Sequence, residues 1–503
     1  MRKSRYFSTF LFLLLVPVGL MAQDDADLLR YAMLNPVGTA RYNAMGGAFS
    51  ALGANFTTLS TNPAGIGFYT RHEISLTGTV LYQTGTSDYY GKTNTVSKGN
   101  FAIPQGGGVF GVYNGIREKG KLWGLQLGFG ANRLKDFNNN VYMKAVNPQS
   151  SYMEAVAAQS SGYDFAMQDN LADIGNLAYM TGLLDYTDTV NMFYGTFLGK
   201  GLQQKRILQE SGNITEMTFS FGGNWSDMLY FGLTLGVPVV NYSSVSTIEE
   251  STVDGHMLEH GFRTYTLQQE KDVSGTGINL KLGLIYKPLP FFRVGVAFHT
   301  PTRYYLKERA SAALDTKTMK YELSDNSTLP TYEKYNYTDR YNLVTPAKGI
   351  LSLGFQIRNF GAVAIEGELI DYRLMRMDVS DNVDYNQYIK EIVRENYRLA
   401  GVVRIGTEWK VSILSFRAGY IWQSCPYKDK TLRDNWSNHT ATAGIGFALG
   451  QRWNLDFGFM ADLGKRTDDF YYLIDGATGD PLVKPAKLES FKYLYTLTLG
   501  FKF

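Results

Sequence analysis

The sequence predicts an all-β protein, a closed transmembrane antiparallel β-barrel of about 14 strands. The first observation is a series of stretches in which apolar residues alternate with small or polar ones, as in Leu122–Asn132. Successive side chains of a strand point to opposite faces, so each stretch has one apolar and one polar face. The second is that the connections alternate between short and long, as in bacterial barrels with short periplasmic turns and long outer loops. The third is the abundance of 35 Tyr, 30 Phe and 52 Gly, which suits aromatic girdles and closely spaced strands.

Residues 1–22 are predicted to be a signal peptide. Three basic residues lie within the first five positions, an apolar run follows at Phe10–Val16, and small residues lead to a cleavage point after Ala22. A membrane anchor is the alternative, but the run is short and is followed by Pro17. No later stretch contains the roughly 18 apolar residues of a membrane-spanning helix. The mature chain is therefore expected to be exported, either as a soluble protein or as a barrel.

Charge and cysteine content argue against two classes of function. Subtracting the three signal-peptide charges from 49 Lys and Arg leaves 46 basic residues against 46 acidic ones. This balance gives no electrostatic reason to expect a nucleic-acid partner. Cys425 is the single cysteine of the sequence, so it cannot form an internal disulfide. No histidine is placed to activate it as a catalytic thiol.

The barrel is predicted to occupy residues 71–503. Six short turns and seven long loops would join its strands, which places both termini in the periplasm, and the largest loop is 134–213. Twelve or sixteen strands remain alternatives, because the alternation does not fix where each strand ends. The expected strands are 72–83, 101–114, 122–133, 214–224, 229–250, 262–287, 291–308, 347–358, 361–377, 397–411, 414–424, 438–449, 453–465 and 491–503.

The tryptophans support a membrane barrel over a soluble β-sandwich. If odd-numbered strands run outward, Trp123, Trp409 and Trp453 lie near the periplasmic rim, and Trp422 and Tyr493 lie near the outer rim. Aromatic belts at both interfaces are expected of a barrel in lipid. A soluble sandwich has no reason to sort its tryptophans in this way.

The loop 134–213 contains two stretches of helical periodicity, Tyr152–Gln159 and Asn170–Leu184. One interpretation is that their apolar faces pack on one another and cap the barrel. The other is that they form a surface groove where apolar ligands first bind, because exposed apolar patches often mark binding sites.

The segment before the first strand carries the most specific motif. Residues 40–55 read ARYNAMGGAFSALGAN, and Asn62-Pro63-Ala64 precedes the first strand. This region resembles the N-terminal hatch of the FadL/TodX-type outer-membrane transporters of long-chain fatty acids and aromatic hydrocarbons. The specific resemblance covers about 25 residues, and a bare Asn-Pro-Ala is also an ordinary turn before a strand. The loop after strand three is large for this family.

The resemblance implies a hatch, residues 23–70, that fills the lumen. It also implies that Asn-Pro-Ala lies against an inward kink in the third strand, where a hole in the wall releases the ligand sideways into lipid. Glycines weaken strand pairing and permit such a bend. The residues assigned to the gate are Gly46, Gly47, Asn62, Pro63, Ala64 and Gly65, and those assigned to the kink are Gly124, Gly128 and Gly130.

Charged residues are expected inside the barrel. Arg404 and Arg417 are the candidates for a ligand head group, because a guanidinium can bind a carboxylate through two hydrogen bonds. The alternative is that the inward charges pair with one another and brace the barrel. The alternation assigns to the lumen Lys281, Arg293, Glu366, Glu368, Arg404, Glu408, Arg417 and Asp456.

Catalytic and metal-binding motifs do not emerge from the sequence. His256 and His260 lie four residues apart, but in a region predicted to be an outer loop, with Glu259 as the single nearby carboxylate. Glu366 and Glu368 share one strand face without a nucleophile. We therefore expect no enzyme activity, no cofactor and no metal.

The predicted function is passive uptake of hydrophobic molecules across the outer membrane of a Gram-negative cell. Long-chain fatty acids are the first expectation, with aromatic hydrocarbons, haem and other lipids left open. The ligand would enter at the outer loops and leave through the barrel wall. The expected partners are these small molecules, outer-membrane lipid and lipopolysaccharide, and the protein is expected to be a monomer. The alternatives are a small-solute porin, a lipid-modifying barrel enzyme and an adhesin.

Overall fold

The structure, a computed structural model, describes most of the chain. The predicted signal peptide and the pair His256 and His260 lie outside the described residues. None of the helices in the described part is both long and apolar enough to cross a membrane. The described residues are 25–115, 117–160, 174–187, 192–195, 201–253, 262–318, 332–379, 383–474 and 480–503.

The strands form one closed antiparallel barrel with fourteen positions in its wall. Four pairs of consecutive strands, β3–β4, β10–β11, β12–β13 and β14–β15, continue one another along the wall, and β1 pairs with β20 to close the ring. The predicted barrel of fourteen strands is confirmed. The wall strands are β1 (Glu73–Tyr89), β2 (Lys92–Asn114), β3 (Leu122–Asp136), β4 (Asn139–Asn147), β7 (Leu202–Trp225), β8 (Leu229–Ser251), β9 (Phe262–Leu289), β10 (Phe292–His299), β11 (Arg303–Thr318), β12 (Tyr332–Val344), β13 (Lys348–Ile357), β14 (Gly361–Asp371), β15 (Arg376–Val379), β16 (Leu399–Val411), β17 (Leu414–Gln423), β18 (Ser437–Leu449), β19 (Trp453–Asp468) and β20 (Ala486–Lys502).

The two faces of the wall differ as the alternation predicts. Along β1, Leu76 and Val80 are exposed on the outside, whereas Thr77, Thr79 and Gln83 are buried on the inside. An outward apolar band of this kind matches the hydrocarbon core of a membrane. Six short turns join the strands at one end of the barrel, here called the turn end, and the opposite end is called the loop end.

Several predicted loops are shorter than expected because strands extend into them: β4 and the first part of β7 lie within 134–213, and β12 lies between the predicted strands 291–308 and 347–358. The first connection is the clearest case. Residues 84–100 were expected to form a long connection, but they extend β1 and β2 and are joined by the two-residue turn Tyr90–Gly91. Both turn residues have positive φ values, 46° and 74°, as in the hairpin turns whose twist matches that of the flanking strands. Four Thr residues and Val96 in this stretch favour strand structure. The barrel wall is therefore taller than the apolar alternation indicated.

The chain between β4 and β7 forms a cap at the loop end. It contains α3 (Tyr152–Ser160), α4 (Ile174–Met180) and the hairpin of β5 (Leu184–Thr187) and β6 (Met192–Gly195). The first predicted helix is confirmed, while the second ends earlier, because the chain turns at Thr181–Gly182 and continues as a strand. Met153 and Leu177 pack in one apolar core with Phe262, Tyr265 and Phe470. The helices are thus packed as the capping interpretation expected.

The remaining helices lie inside the barrel or at its loop end. The chain before β1 forms α1 (Asp25–Ala32), α2 (Ala40–Ala44) and two 3₁₀ helices, Phe56–Ser60 and Pro63–Phe68. A 3₁₀ turn, Tyr372–Leu374, separates β14 from β15, while α5 (Val383–Asn396) precedes β16 and α6 (Lys430–Asp434) precedes β18. Leu28 and Tyr31 of α1 share an apolar core with Ile389 and Val393 of α5.

Candidate functional site

Residues 38–69, here called the inner segment, lie within the ring of strands. Hydrogen bonds connect the segment to opposite sides of the wall. Ala40 N donates to Thr498 Oγ1 at 2.7 Å on β20, and Ser50 N donates to Glu366 Oε2 at 3.0 Å on β14. His299 Nε2 lies 2.6 Å from the carbonyl oxygen of Thr61. The inner segment therefore spans the lumen.

A bidentate ion pair links the inner segment to the wall. Arg41 donates from Nε and Nη2 to the two carboxylate oxygens of Glu408, at 2.7 and 2.9 Å. Arg417 Nε also donates to Glu408 at 2.7 Å, and Arg417 Nη1 donates to Asp456 at 2.6 Å. A buried carboxylate is stable only when such partners replace its hydration.

Inward-facing glycines of the wall provide the space in which the inner segment lies. A Cβ added at Gly406 would lie 3.0 Å from the carbonyl carbon of Met45, and one at Gly458 would lie 2.7 Å from Ala40 O. Some of these glycines are direct neighbours across the ladder, as Gly406 and Gly419 are. The strand glycines in such contact are Gly107, Gly128, Gly130, Gly222, Gly232, Gly283, Gly295, Gly354, Gly406, Gly419, Gly444 and Gly458.

The assigned gate residues take two positions in the inner segment. Gly46 and Gly47, with φ values of 61° and 74°, form the turn after α2 and line the cavity described below. Asn62 caps the 3₁₀ helix Pro63–Phe68, since its Oδ1 accepts from Ala64 N at 3.1 Å. Its Nδ2 donates to Ser50 O at 2.7 Å.

Asn62–Ala64 lies against β8 and β9, and its role beside a kink of the third strand stays a prediction. The contacts of this triplet with the wall include Gly232 of β8 and Gly283 and Leu284 of β9. Ile66, in the same 3₁₀ helix, lies at Gly128 of the third strand. The Asn62 amide satisfies backbone groups of the inner segment itself. Gly65, the last assigned gate residue, packs on Thr58.

Of the three glycines of β3, two lie against the inner segment and the third adjoins a register shift of the strand ladder. Gly128 lies beneath the inner segment, where an added Cβ would be 2.9 Å from Leu59 Cδ1 and 3.1 Å from Ile66 Cδ1. Gly130 has a φ of 155°, and an added Cβ would lie 2.6 Å from Phe56 Cζ. Gly124 adjoins a register shift at the turn end of β3. Two of the three therefore permit close approach of the inner segment.

Arg404 and Arg417 are both paired with carboxylates. Arg404 Nη1 lies 3.0 Å from Glu366 Oε1 and 3.0 Å from Glu368 Oε2, and Arg417 bridges Glu408 and Asp456. Arg404 lines the cavity, whereas Arg417 is not among the lining residues in the described part of the chain. This geometry is the bracing arrangement that the sequence left as the alternative, and the head-group role stays a prediction.

A cavity of about 690 Å³ occupies the loop-end half of the lumen. Its walls come from α1, the inner segment, β1–β4, β7 and β16–β20. They combine apolar groups such as Leu29, Val37 and Leu81 with asparagines and charges. Small-molecule sites in proteins have cavities of this size. Its basic lining residues are Arg30, Arg133, Lys135, Arg206, Arg404, Lys465, Arg466 and Lys492, and its acidic ones are Asp136, Glu210, Asp462, Asp468 and Glu489, eight against five.

The cavity adjoins an interruption in the barrel wall between β2 and β3. The ladder between these strands runs from Asn114–Gly124 to Gln105–Asn132 and goes no further in the described residues. From Pro104 back to Lys92, β2 pairs with β1 alone. Pro104 has no N–H and lies where the β1–β2 register shifts, so the ladder ends where a donor is missing. We call this interruption the seam.

The β3 side of the seam is occupied by other parts of the chain. Val37 N and Asn35 N donate to the carbonyls of Arg133 and Leu134, at 2.9 and 3.0 Å, in place of β2. Beyond this point β4 lies inside the barrel, against the inner face of β1. There Gln83 Nε2 donates to Asn139 Oδ1 at 2.7 Å. Asn100 and Ala102 of β2 line the cavity at the seam. The cavity thus reaches the wall where two neighbouring strands are not hydrogen-bonded.

The sequence did not point to several of these residues. Pro104, Asn35–Val37 and the charged residues of β19 and β20 belong to no recognised motif. Pro104 was the one available signal, because a proline within a strand indicates an edge or a bulge. Within the described residues, no group of three or more His, Cys, Asp and Glu side chains is arranged to hold a metal ion.

Comparisons with known proteins show similarity of fold. No protein-family model matches the sequence, and no curated protein matches it. A FadL homologue from Pseudomonas aeruginosa is similar over 93% of this chain and 99% of its own, with 12% identity and a TM-score of 0.56. The Pseudomonas putida toluene transporter TodX is similar over 92% and 98%, with 12% identity and a TM-score of 0.51. The CymD monoaromatic hydrocarbon channel is similar over 93% of this chain and 97% of its own, with 12% identity and a TM-score of 0.50.

Proposed function

We propose that this protein carries hydrophobic molecules across the outer membrane. The observation that supports this most is the loop-end cavity, which is closed on one side by the inner segment and adjoins an unpaired stretch of wall. An open polar pore would instead need a continuous passage to the turn end. The proteins of similar fold include a toluene transporter and a monoaromatic hydrocarbon channel, which agrees with an apolar cargo.

In the finer form of the proposal, the inner segment is a hatch and the ligand leaves through the seam. Long-chain fatty acids are the first candidates. A ligand entering among the loop-end helices would lie in the cavity beside Asn100 and Ala102. At this position the ligand would be separated from the lipid only by a stretch of wall that has no continuous hydrogen-bond ladder. Burial of its apolar surface in the bilayer would drive release.

A chain-length series tests the cargo class. Each additional methylene buried contributes about 0.8 kcal/mol, roughly a fourfold gain in affinity. We therefore expect affinity for saturated fatty acids to rise steeply from eight to sixteen carbons, measured with purified protein, and uptake by cells expressing it to follow. Equal transport of sugars or amino acids would contradict the proposal and favour a small-solute porin.

Neighbouring residues on opposite faces of β2 allow a matched test of lateral exit. Ala102 faces the cavity, whereas Ile103 is 59% exposed on the outside. Ala102→Trp should obstruct the inner side of the seam and lower fatty-acid uptake about tenfold or more, while Ile103→Trp should leave uptake near normal because aromatic residues suit the lipid face. Unchanged uptake in the Ala102→Trp variant, with normal folding, would contradict exit through the seam.

A further inference from the structure

A group of basic side chains lies on the outer face of the barrel, towards the loop end. The alternation along the strands fixes this orientation. Tyr304 and Leu306 of β11 and Leu343 of β12 are buried inside, so the residues that alternate with them point outward. We call the group the basic patch. It consists of Arg303 and Lys307 of β11, Arg340 of β12 and Arg376 of β15.

The strand register brings the residues of the basic patch together. Lys307 lies directly opposite Arg340 in the β11–β12 ladder, which places their Cβ atoms about 5 Å apart. Val344 of β12 is paired with Arg303 on one side and with Arg376 on the other. Like charges directly opposite each other on one face of a sheet are destabilising. An anion bound to the patch would offset this repulsion.

The basic patch has no carboxylate as a direct cross-strand partner in the described part of the chain. On β9, the residue opposite Arg303 is Ile278 and the residue opposite Lys307 is Ser274. Among the described residues, none of the four patch side chains has a carboxylate within ion-pair distance.

The nearest acidic side chains of the outer face have other neighbours. Asp272 is opposite Arg309, and Asp378 is opposite Asn342. A different outward-facing cation, Lys205 of β7, has a carboxylate partner, Glu249, at 3.0 Å. The basic patch therefore presents a local excess of positive charge on the outside of the wall.

The basic patch begins where the apolar band of the outer face ends. The outward side chains of β9 are apolar from Leu289 back to Ile278, about the length of the roughly 9–11 residues with which a tilted strand crosses the hydrocarbon core. Ile278 is the partner of Arg303. Tyr305, exposed between Arg303 and Lys307, is an aromatic residue of the kind found at membrane interfaces. Bacterial barrels have their long loops on the outer side, so the patch is expected among the head groups of the outer leaflet.

We propose that the basic patch binds the phosphorylated sugar head group of a glycolipid of the outer leaflet, a lipid of the lipopolysaccharide class. Phosphate oxygens accept charge-assisted hydrogen bonds from guanidinium and ammonium groups, and Lys307 and Arg340 provide one of each on neighbouring strands. The acyl chains of the same lipid would lie along the apolar side chains next to the patch, including Ile278 and Phe298, which are exposed on the outside. A soluble anion would leave these apolar contacts unused.

This site goes beyond the proposed transport function. It lies on the lipid-facing side of the wall, whereas the cavity and the inner segment lie within the lumen. Loss of the site should therefore leave fatty-acid uptake near normal.

Matched lipids test the site with the purified full-length protein in detergent micelles. Diphosphoryl lipid A and its dephosphorylated form share their sugars and acyl chains and differ in phosphate. The wild type should bind the diphosphoryl form about tenfold or more tightly than the dephosphorylated form, and added salt should reduce this difference. The double variant Lys307→Gln and Arg340→Gln should lose roughly twentyfold in affinity for the diphosphoryl form, about a factor of five for each cation. Its affinity for the dephosphorylated form should be unchanged.

Lys205→Gln is the control variant, since Lys205 also faces outward but is already paired with Glu249. It should bind both lipids as the wild type does. Equal wild-type affinities for the two lipids would overturn the phosphate site, and so would a folded double variant that binds diphosphoryl lipid A as tightly as the wild type. Displacement of bound lipid A by an equal concentration of inorganic phosphate would overturn the assignment to a lipid, because a soluble anion would then be sufficient.

Discussion

Replacing Gly283 by valine should displace the inner segment and make the barrel conduct ions. An added Cβ would overlap Asn62 Oδ1 and lie 2.7 Å from Ala64 N and 2.9 Å from Pro63 Cδ. Overpacking of this kind costs about 1–3 kcal/mol, roughly a factor of 5 to 150 in an equilibrium between seated and displaced states. Single-channel recording in planar bilayers measures the result, and we expect rare openings in the wild type and frequent ones in the variant.

Two controls accompany this experiment. Gly367→Val changes a glycine of β14 where an added Cβ would meet no atom within 4 Å, so conductance should stay at the wild-type level. Deletion of residues 23–68 should give the largest conductance, because it removes the whole segment. A deletion variant that folds yet conducts no more than the wild type would contradict the role of this segment as a hatch.

Replacing Arg404 by methionine should destabilise the barrel by about 3–5 kcal/mol, the usual cost of leaving a buried charge without its partner. Glu366 and Glu368 are both almost fully buried, and Arg404 Nη1 lies 3.0 Å from each. Lys348 and Ser50 N would still contact one carboxylate each, at 3.2 and 3.0 Å. Urea-induced unfolding in detergent, followed by tryptophan fluorescence, measures the change in the free energy of unfolding.

The control for this variant is Arg373→Met, which breaks the exposed pair of Arg373 with Asp371 and should change stability little. The same variants also separate the two interpretations of Arg404. Dodecanoate and dodecanol have equal chain lengths but differ in charge. If Arg404 braces the wall, Arg404→Met lowers the free energy of unfolding and changes the affinity for both ligands alike. A stable Arg404→Met variant that loses affinity for dodecanoate but not for dodecanol would instead indicate a head-group site.

The barrel was predictable from the sequence because the strand pattern is local. Alternation with a period of two places Leu76 outside and Thr77 inside without knowledge of any neighbour. The tall hairpin of β1 and β2 was missed because Thr84, Thr86, Thr93 and Thr95 are polar on the outer face, beyond the apolar band. Their preference for strand structure was the available signal, but apolar alternation cannot detect strands that extend above the membrane.

The candidate site was less predictable because it depends on contacts between distant parts of the chain. Six of the eight charged residues assigned to the lumen are buried, and Arg293 and Asp456 are partly buried. The pairing of Arg404 with Glu366 and Glu368, however, requires the register of β14 against β16. The seam depends on which edge of β3 the residues Asn35–Val37 occupy. The inward glycines were a usable signal, since Gly406 and Gly419 recur on the polar face of successive strands and leave room for a packed segment.

The contact between Ala40 and Thr498 has a consequence for biogenesis. These residues are separated by 458 positions, so one of the earliest parts of the chain is held by one of the last. Contacts over such separations form slowly, because the intervening chain must first be ordered. The leading portion cannot reach its final place until the terminal strand has been translocated and folded. Closure of the barrel and enclosure of the inner segment are therefore expected to be completed together.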